Sequence, residues 1–69
     1  MLKISELAGR IGLSARTIRF YEKHGLIEAS ERSESGYRLY SAADINRAEF
    51  VKTARNIGFS LEDLSLIHI

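Results

Sequence analysis

The 69-residue chain has no cysteine, no proline and no tryptophan. Without cysteine there can be no disulfide, no thiolate zinc site and no cysteine nucleophile. His24 and His68 stand alone, with no second histidine or carboxylate at ligand spacing, so no metal ligand is assigned. There is no phosphate-binding loop, no dinucleotide glycine fingerprint and no nucleophile with an evident base. No catalytic residue, enzyme activity or cofactor is therefore expected. Long apolar runs are also missing: nothing approaches a membrane span, and the N-terminus lacks a signal-peptide stretch. A cytoplasmic protein without membrane attachment is expected. A dominant charge is lacking too. Ten Lys+Arg against nine Asp+Glu leave +1, far from the basic balance of many nucleic-acid binders. Residues 1–40 carry seven cations and five anions, and 41–69 carry three and four, so any electrostatic footprint must be local.

What remains has the balance of a soluble globular domain, 45% hydrophobic and 28% charged, with room for one small core. Ile4, Leu7, Ala8 and Ile11 recur at helical spacing, with Ser5 as an N-cap candidate and Gly12 as the stop. Ser14 caps a second helix running to about His24; Gly25 ends it, and Leu26-Ile27 give the next segment an apolar anchor. Two short helices joined by a Gly-containing turn predict a helix-turn-helix over about 4–24. Ala8 permits close approach, Gly12 a positive φ, and Ile18 plugs the core. Any helical hairpin places small and apolar residues this way, so the spacing alone leaves both readings open.

Residues 28–34 are polar, Ser35-Gly36 marks a turn, and Tyr37-Arg38-Leu39-Tyr40 alternates like a strand. A hairpin wing over about 28–40 is predicted, with Tyr37 and Leu39 on one face and Arg38 and Tyr40 on the other. Ser41-Ala42-Ala43-Asp44 is a capping-box variant opening a helix over about 42–57. Its stripe is Ile45, Ala48, Val51, Ala54 and Ile57, with Phe50 beside it, and Gly58 closes it. Ser60-Leu61-Glu62-Asp63 repeats the capping signature and starts a further helix from about 60. The predicted fold is a mainly α, single-domain winged helix-turn-helix with a small β-hairpin wing, spanning 1–69.

The second helix says most about chemistry. At ~100° per residue, Arg16, Arg19 and Lys23 fall within an arc of about 60°, with Ile18 and Tyr21 on the other side. Arg16 and Thr17 occupy the first turns, where a recognition helix meets base edges. Arginine reads guanine through its bidentate fork, and lysine suits phosphate. Phe20, set among these cations, either packs beneath the wing or touches the nucleic-acid backbone. A solvated charged face is the plainer alternative. In the wing, Arg38 between Tyr37 and Tyr40 can lay a cation and phenol hydroxyls along phosphates. The plainer reading is that Tyr37 and Leu39 cap the core and Arg38 is solvated, and the two are compatible if one strand face packs while the other binds. Lys52 and Arg55 offer further phosphate contacts on the long helix, with simple solvation an equal reading.

Three stretches resemble one known family. Ile4-Ser5-Glu6-Leu7-Ala8, Gly12-Leu13-Ser14, Thr17-Ile18-Arg19-Phe20-Tyr21-Glu22 and Gly25-Leu26-Ile27 are similar to the opening of MerR-family transcriptional regulators. Residues 32–40 resemble that family's wing, and residues 54–62 the junction of its third and fourth helices. The likeness spans about 2–64, in order and correctly spaced. It implies binding of one half of a near-palindromic promoter site. It also implies that the full-length protein is a homodimer distorting an over-long promoter spacer in response to an effector, and so acting indirectly on RNA polymerase. By this likeness Arg16, Thr17, Arg19, Phe20 and Tyr21 lie on or near the recognition surface, with Tyr37 and Arg38 in the wing. Phe20 stands where many members have Tyr, and no proline follows Ile27 where many have one. The resemblance further implies that the chain stops before the effector region and the long dimerisation helix. Residues 65–69 fit the family's fourth helix poorly, so the expectation is a fragment whose last residues are not native. Residues 58–62 look most like metal-responsive members, whose ligands lie beyond residue 69. Two alternatives stand beside this: an excisionase-like architectural protein, and a protein-interaction module using Phe20, Tyr37 and Tyr40.

Overall fold

The computed structural model describes residues 1–66. A two-residue strand, Leu2–Lys3 (β1), runs directly into Ile4–Ile11 (α1), and Ala15–Lys23 (α2) comes after a three-residue turn. Glu31–Arg32 (β2) and Arg38–Tyr40 (β3) form the hairpin, Ala42–Asn56 (α3) is the longest helix, and Leu61–Leu66 (α4) is the last. The strands make one antiparallel sheet in the order β1-β3-β2, with Leu2 opposite Tyr40 and Arg32 opposite Arg38.

Local chemistry accounts for most boundaries. The Ser14 hydroxyl accepts from the Thr17 N–H at 3.1 Å, capping α2. At the other end Gly25 has φ +74°, a left-handed conformation that glycine adopts without strain. The Leu26 N–H returns to the Tyr21 carbonyl at 2.9 Å and the Gly25 N–H to that of Glu22 at 3.0 Å, satisfying the last turn. Gly12, at φ +73°, makes the turn between α1 and α2. The expected N-cap at Ser5 is corrected. Helix α1 begins at Ile4, and its N-cap is Lys3, extended because it is still in β1. The Lys3 N–H donates to Glu6 Oε1 at 3.0 Å.

Ser41 and Asp44 form the expected reciprocal box at the start of α3, and Ser60 and Asp63 do the same before α4. Asp44 also accepts from the backbone and hydroxyl of Ser30, so it ties the approach to the wing onto α3. Partial burial pushes the Asp44 carboxyl upward, but the hydrogen bonds from Ser30 and Ser41 outweigh it and hold the group below the usual aspartate range. A depressed carboxyl stabilises the fold above its unfolded pKa of about 3.9, and the contribution disappears as pH falls through the folded value. Asp44→Asn is therefore expected to lose about 1 kcal/mol at neutral pH. Its stability should converge with that of the parent chain below about pH 4, as read by denaturant melts across the acid range.

One core joins all the helices. Leu7, Ala8 and Ile11 of α1 meet Ile18 and Tyr21 of α2, Leu26 and Ile27, Tyr40 of β3, Ala48, Val51 and Ala54 of α3, and Leu64 of α4. The expected alternation of the wing holds, since Arg38 and Tyr40 both reach Glu22, but the face that packs is theirs and not that of Tyr37 and Leu39. Tyr40 is fully buried while Tyr37 is 60% exposed and Leu39 is partly buried. Pairing with β1 makes β3 the central strand, and α1 and α3 pack over the face that carries Tyr40. Ile57, expected on the buried stripe of α3, is its C-cap and 71% exposed. Together with Phe50 and Phe59 it flanks a groove floored by Ala54 and Leu64. Of residues 65–69, expected to break from the family pattern, Ser65 and Leu66 continue α4, and 67–69 lie outside the described residues.

Candidate nucleic-acid interface

Helix α2 stands as a ridge between two open grooves. The first lies between α2 and the wing and is lined by Arg19, Lys23, Arg32 and Arg38, with Glu22 and Glu28 among them. The second lies between α2 and the end of α3 and is lined by Arg16, Thr17, Phe20, Tyr21 and Arg55. Cations thus flank the helix on both sides, although the whole chain is nearly neutral.

These cations are of two kinds. Arg16, Arg19 and Lys23 are exposed and make no hydrogen bond or ion pair with any described residue. Those off α2 are engaged. Arg38 Nε lies 3.3 Å from Glu22 Oε2, Arg32 Nη1 donates to the Gly36 carbonyl at 3.2 Å, and Arg55 Nη1 to the Phe59 carbonyl at 3.3 Å. The expectation for Lys52 is corrected. It is partly buried, its ammonium donates to the Ile11 carbonyl at the end of α1, and it lines neither groove. There it complements the negative end of that helix.

The aromatic candidates separate as well. Phe20 is 43% exposed and lines the groove away from the wing; its ring lies edge-to-face with His24, centroids 4.5 Å apart. Tyr21, expected on the Ile18 side of the helix and on or near the recognition surface, is buried yet lines the second groove. Its ring belongs to the core, because it projects from the Ile18 side of α2. Its hydroxyl has no protein partner, and among the described residues no buried side-chain polar atom is left unpaired. The hydroxyl is therefore not fully enclosed by protein. Thr17 spends its hydroxyl on Ser14, at 2.9 Å. Tyr37, at the wing, carries Lys3 Nζ 5.0 Å from its ring centroid.

Three residues of this surface were missed by sequence reasoning. Arg32 lay within the wing motif and had only its charge to mark it. Lys3 reaches the wing through β1, and a two-residue strand leaves no pattern. Glu22 joins the two elements: besides Arg38, it accepts from the Tyr40 hydroxyl at 2.7 Å. Burial, then the neighbouring Glu22 carboxylate, pushes the Tyr40 phenol well above the ordinary tyrosine range, so it remains a donor. Among the described residues no group of three or more His, Asp or Glu is placed to hold a metal ion. None of the described helices is long and apolar enough to cross a membrane.

Comparison with known proteins gives a consistent result. The family model described as MerR HTH family regulatory protein matches residues 2–67. A probable heavy metal-dependent transcriptional regulator of Haemophilus influenzae is 48% identical over 64 residues, covering 93% of this chain and 50% of that protein. The N-terminal part of MtaN, the Bacillus subtilis multidrug transporter activator, superposes with a TM-score of 0.91 at 32% identity, covering 100% of this chain and 67% of that one. HiNmlR, a MerR family regulator lacking the sensor domain and bound to promoter DNA, gives a TM-score of 0.90 at 33% identity, covering 97% of this chain and 51% of that one. The chain spans about half the length of the curated relatives it matches.

Proposed function

Since this chain belongs to the MerR family of helix-turn-helix regulatory proteins, we propose that it reads promoter DNA as one half of a dimeric transcriptional regulator. It acts by binding rather than by catalysis. The observation that carries this is α2 as a ridge with unengaged cations, flanked on both sides by grooves that bring in Arg32 and Arg38 from the wing and Arg55 from α3. A helix of about 10–12 Å diameter fills a major groove about 12 Å wide, which leaves Arg32 on one side and Arg55 on the other facing phosphates. Arg16 and Arg19 read bases, Lys23 and Arg55 hold the backbone, and Thr17, Phe20, Tyr21 and Tyr37 complete the surface. Promoter DNA bound to a solved relative of the same fold supports the assignment.

The apolar surface of Phe50, Ile57 and Phe59 supports dimerisation of the full-length regulator, because exposed patches of this kind mark contact surfaces. Distortion of the promoter, an indirect action on RNA polymerase and a cytoplasmic site of action belong to the same proposal. Metal-responsive control is the favoured signal, on the likeness to the heavy metal-dependent relative.

The test is a titration of duplex DNA at rising salt, with sedimentation in parallel. The isolated chain is expected to bind as a monomer, with micromolar or weaker affinity for mixed-sequence duplex. Its log affinity should fall linearly with log salt as counterions are released. A single half-site without its dimer partner lacks avidity. An affinity indifferent to salt would instead mark an apolar protein-interaction module, and a tight dimer of these 69 residues would remove the dependence on further chain.

A further inference from the structure

Glu22 is an acid on the helix assigned to lie against a polyanion. It sits beside Arg19 and Lys23 in the groove facing the wing, and its side chain is only 12% exposed. An acid there repels phosphate, so its presence asks for a compensating role. Its two carboxylate oxygens point to different parts of the wing. Oε2 lies 3.3 Å from Arg38 Nε, and Oε1 accepts a hydrogen bond from the Tyr40 hydroxyl at 2.7 Å. Tyr40 is fully buried on the central strand, so Glu22 is tethered to an immobile point of the sheet and in turn holds the half-exposed Arg38.

We propose that Glu22 is a specificity-determining positioning residue: it fixes the wing against α2 and holds Arg38 as a neutralised pair rather than a free phosphate-seeking cation. This rests on the DNA-binding reading above. A cation that binds any phosphate adds affinity for every sequence and so dilutes discrimination. Paired with Glu22, Arg38 presents its outer nitrogens in one orientation and adds no net charge to the groove.

Glu22→Gln removes the charge and keeps an oxygen for Tyr40. The variant and the parent chain are titrated with a mixed-sequence duplex and with a duplex selected by the parent chain from a randomised pool. The salt slope on mixed-sequence DNA is expected to steepen by about one unit, an extra loss of about 3.5-fold between about 50 and 200 mM salt. The preference for the selected duplex should drop by roughly tenfold, the scale of one lost base contact. In an Arg38→Met background the same Glu22→Gln change should leave the preference unaltered, since no cation is there to release. Tyr40→Phe, which alters no charge, should lower the preference with no change in slope. A preference that survives Glu22→Gln, or one that falls equally without Arg38, would overturn the inference. So would a parallel loss on both duplexes at unchanged slope, which marks a merely structural residue. Failure of the parent chain to bind either duplex would overturn the DNA-binding reading itself.

Discussion

Arg19→Ala is expected to cost about 1–3 kcal/mol in binding to a selected operator duplex, with a much smaller loss on mixed-sequence DNA. Arg19 lies on the second turn of α2 and is exposed in the groove facing the wing, with no partner among the described residues. Its fork is therefore available for two parallel hydrogen bonds to a guanine edge, and nothing in the protein must be broken first. Arg38 and Arg55 differ, since each already has a partner. Arg19→Lys should be nearly as damaging, because an ammonium keeps the charge and loses the fork. The informative quantity is the ratio of affinities for the two duplexes. Equal losses on both would reassign Arg19 to a phosphate, and a steeper salt dependence for the parent than for the variant would accompany that outcome.

The helices were legible because their signals are local. Ser14 and Gly25 around α2, and Ser41 with Asp44 before α3, each act within a few residues, and the structure uses them as caps and stops. The wing was legible as a hairpin with its alternation, but β3's central place in the sheet was not. That depends on β1, whose two residues carry no periodicity and whose pairing with Tyr40 spans almost the entire distance from the N-terminus to the wing. Which face of β3 is buried is set separately, by the packing of α1 and α3 against it. The shift of the α1 cap from Ser5 to Lys3 comes from β1 as well, since Lys3 is held extended by the sheet.

At the interface, the cations on α2 followed from helical periodicity alone, because a surface arc on one helix is a matter of angle. Which cations off α2 join them is a tertiary question. Lys52 and Arg55 stand three residues apart on α3, yet one turns to the Ile11 carbonyl and the other lines the groove beside Arg16. The Glu22 contacts with Arg38 and Tyr40 link positions 16 and 18 residues apart through two elements, and no local pattern encodes such a junction.

Ile18→Ala is expected to remove about 2–5 kcal/mol of stability, the range for truncating a buried aliphatic side chain. Ile18 is fully buried, in one cluster with Leu7, Ile11 and Leu26. It is also the side chain of α2 that points away from Arg16, Arg19 and Lys23, so it holds the reading helix in place from beneath. A domain of this length has in total roughly 3–10 kcal/mol, and the substitution therefore takes a large share of it. The melting temperature should fall by roughly 10–30 °C, followed by circular dichroism, whereas Arg19→Ala should stay within about 0.5 kcal/mol of the parent. Ile18→Val, which removes one methylene, should cost only about 0.5–1.5 kcal/mol. DNA binding by Ile18→Ala should weaken in proportion to the unfolded fraction. Saturating duplex should then raise its melting temperature, because ligand binds only the folded state. A folded Ile18→Ala chain that no longer bound DNA would mean that Ile18 sets the angle of α2 and not merely its stability.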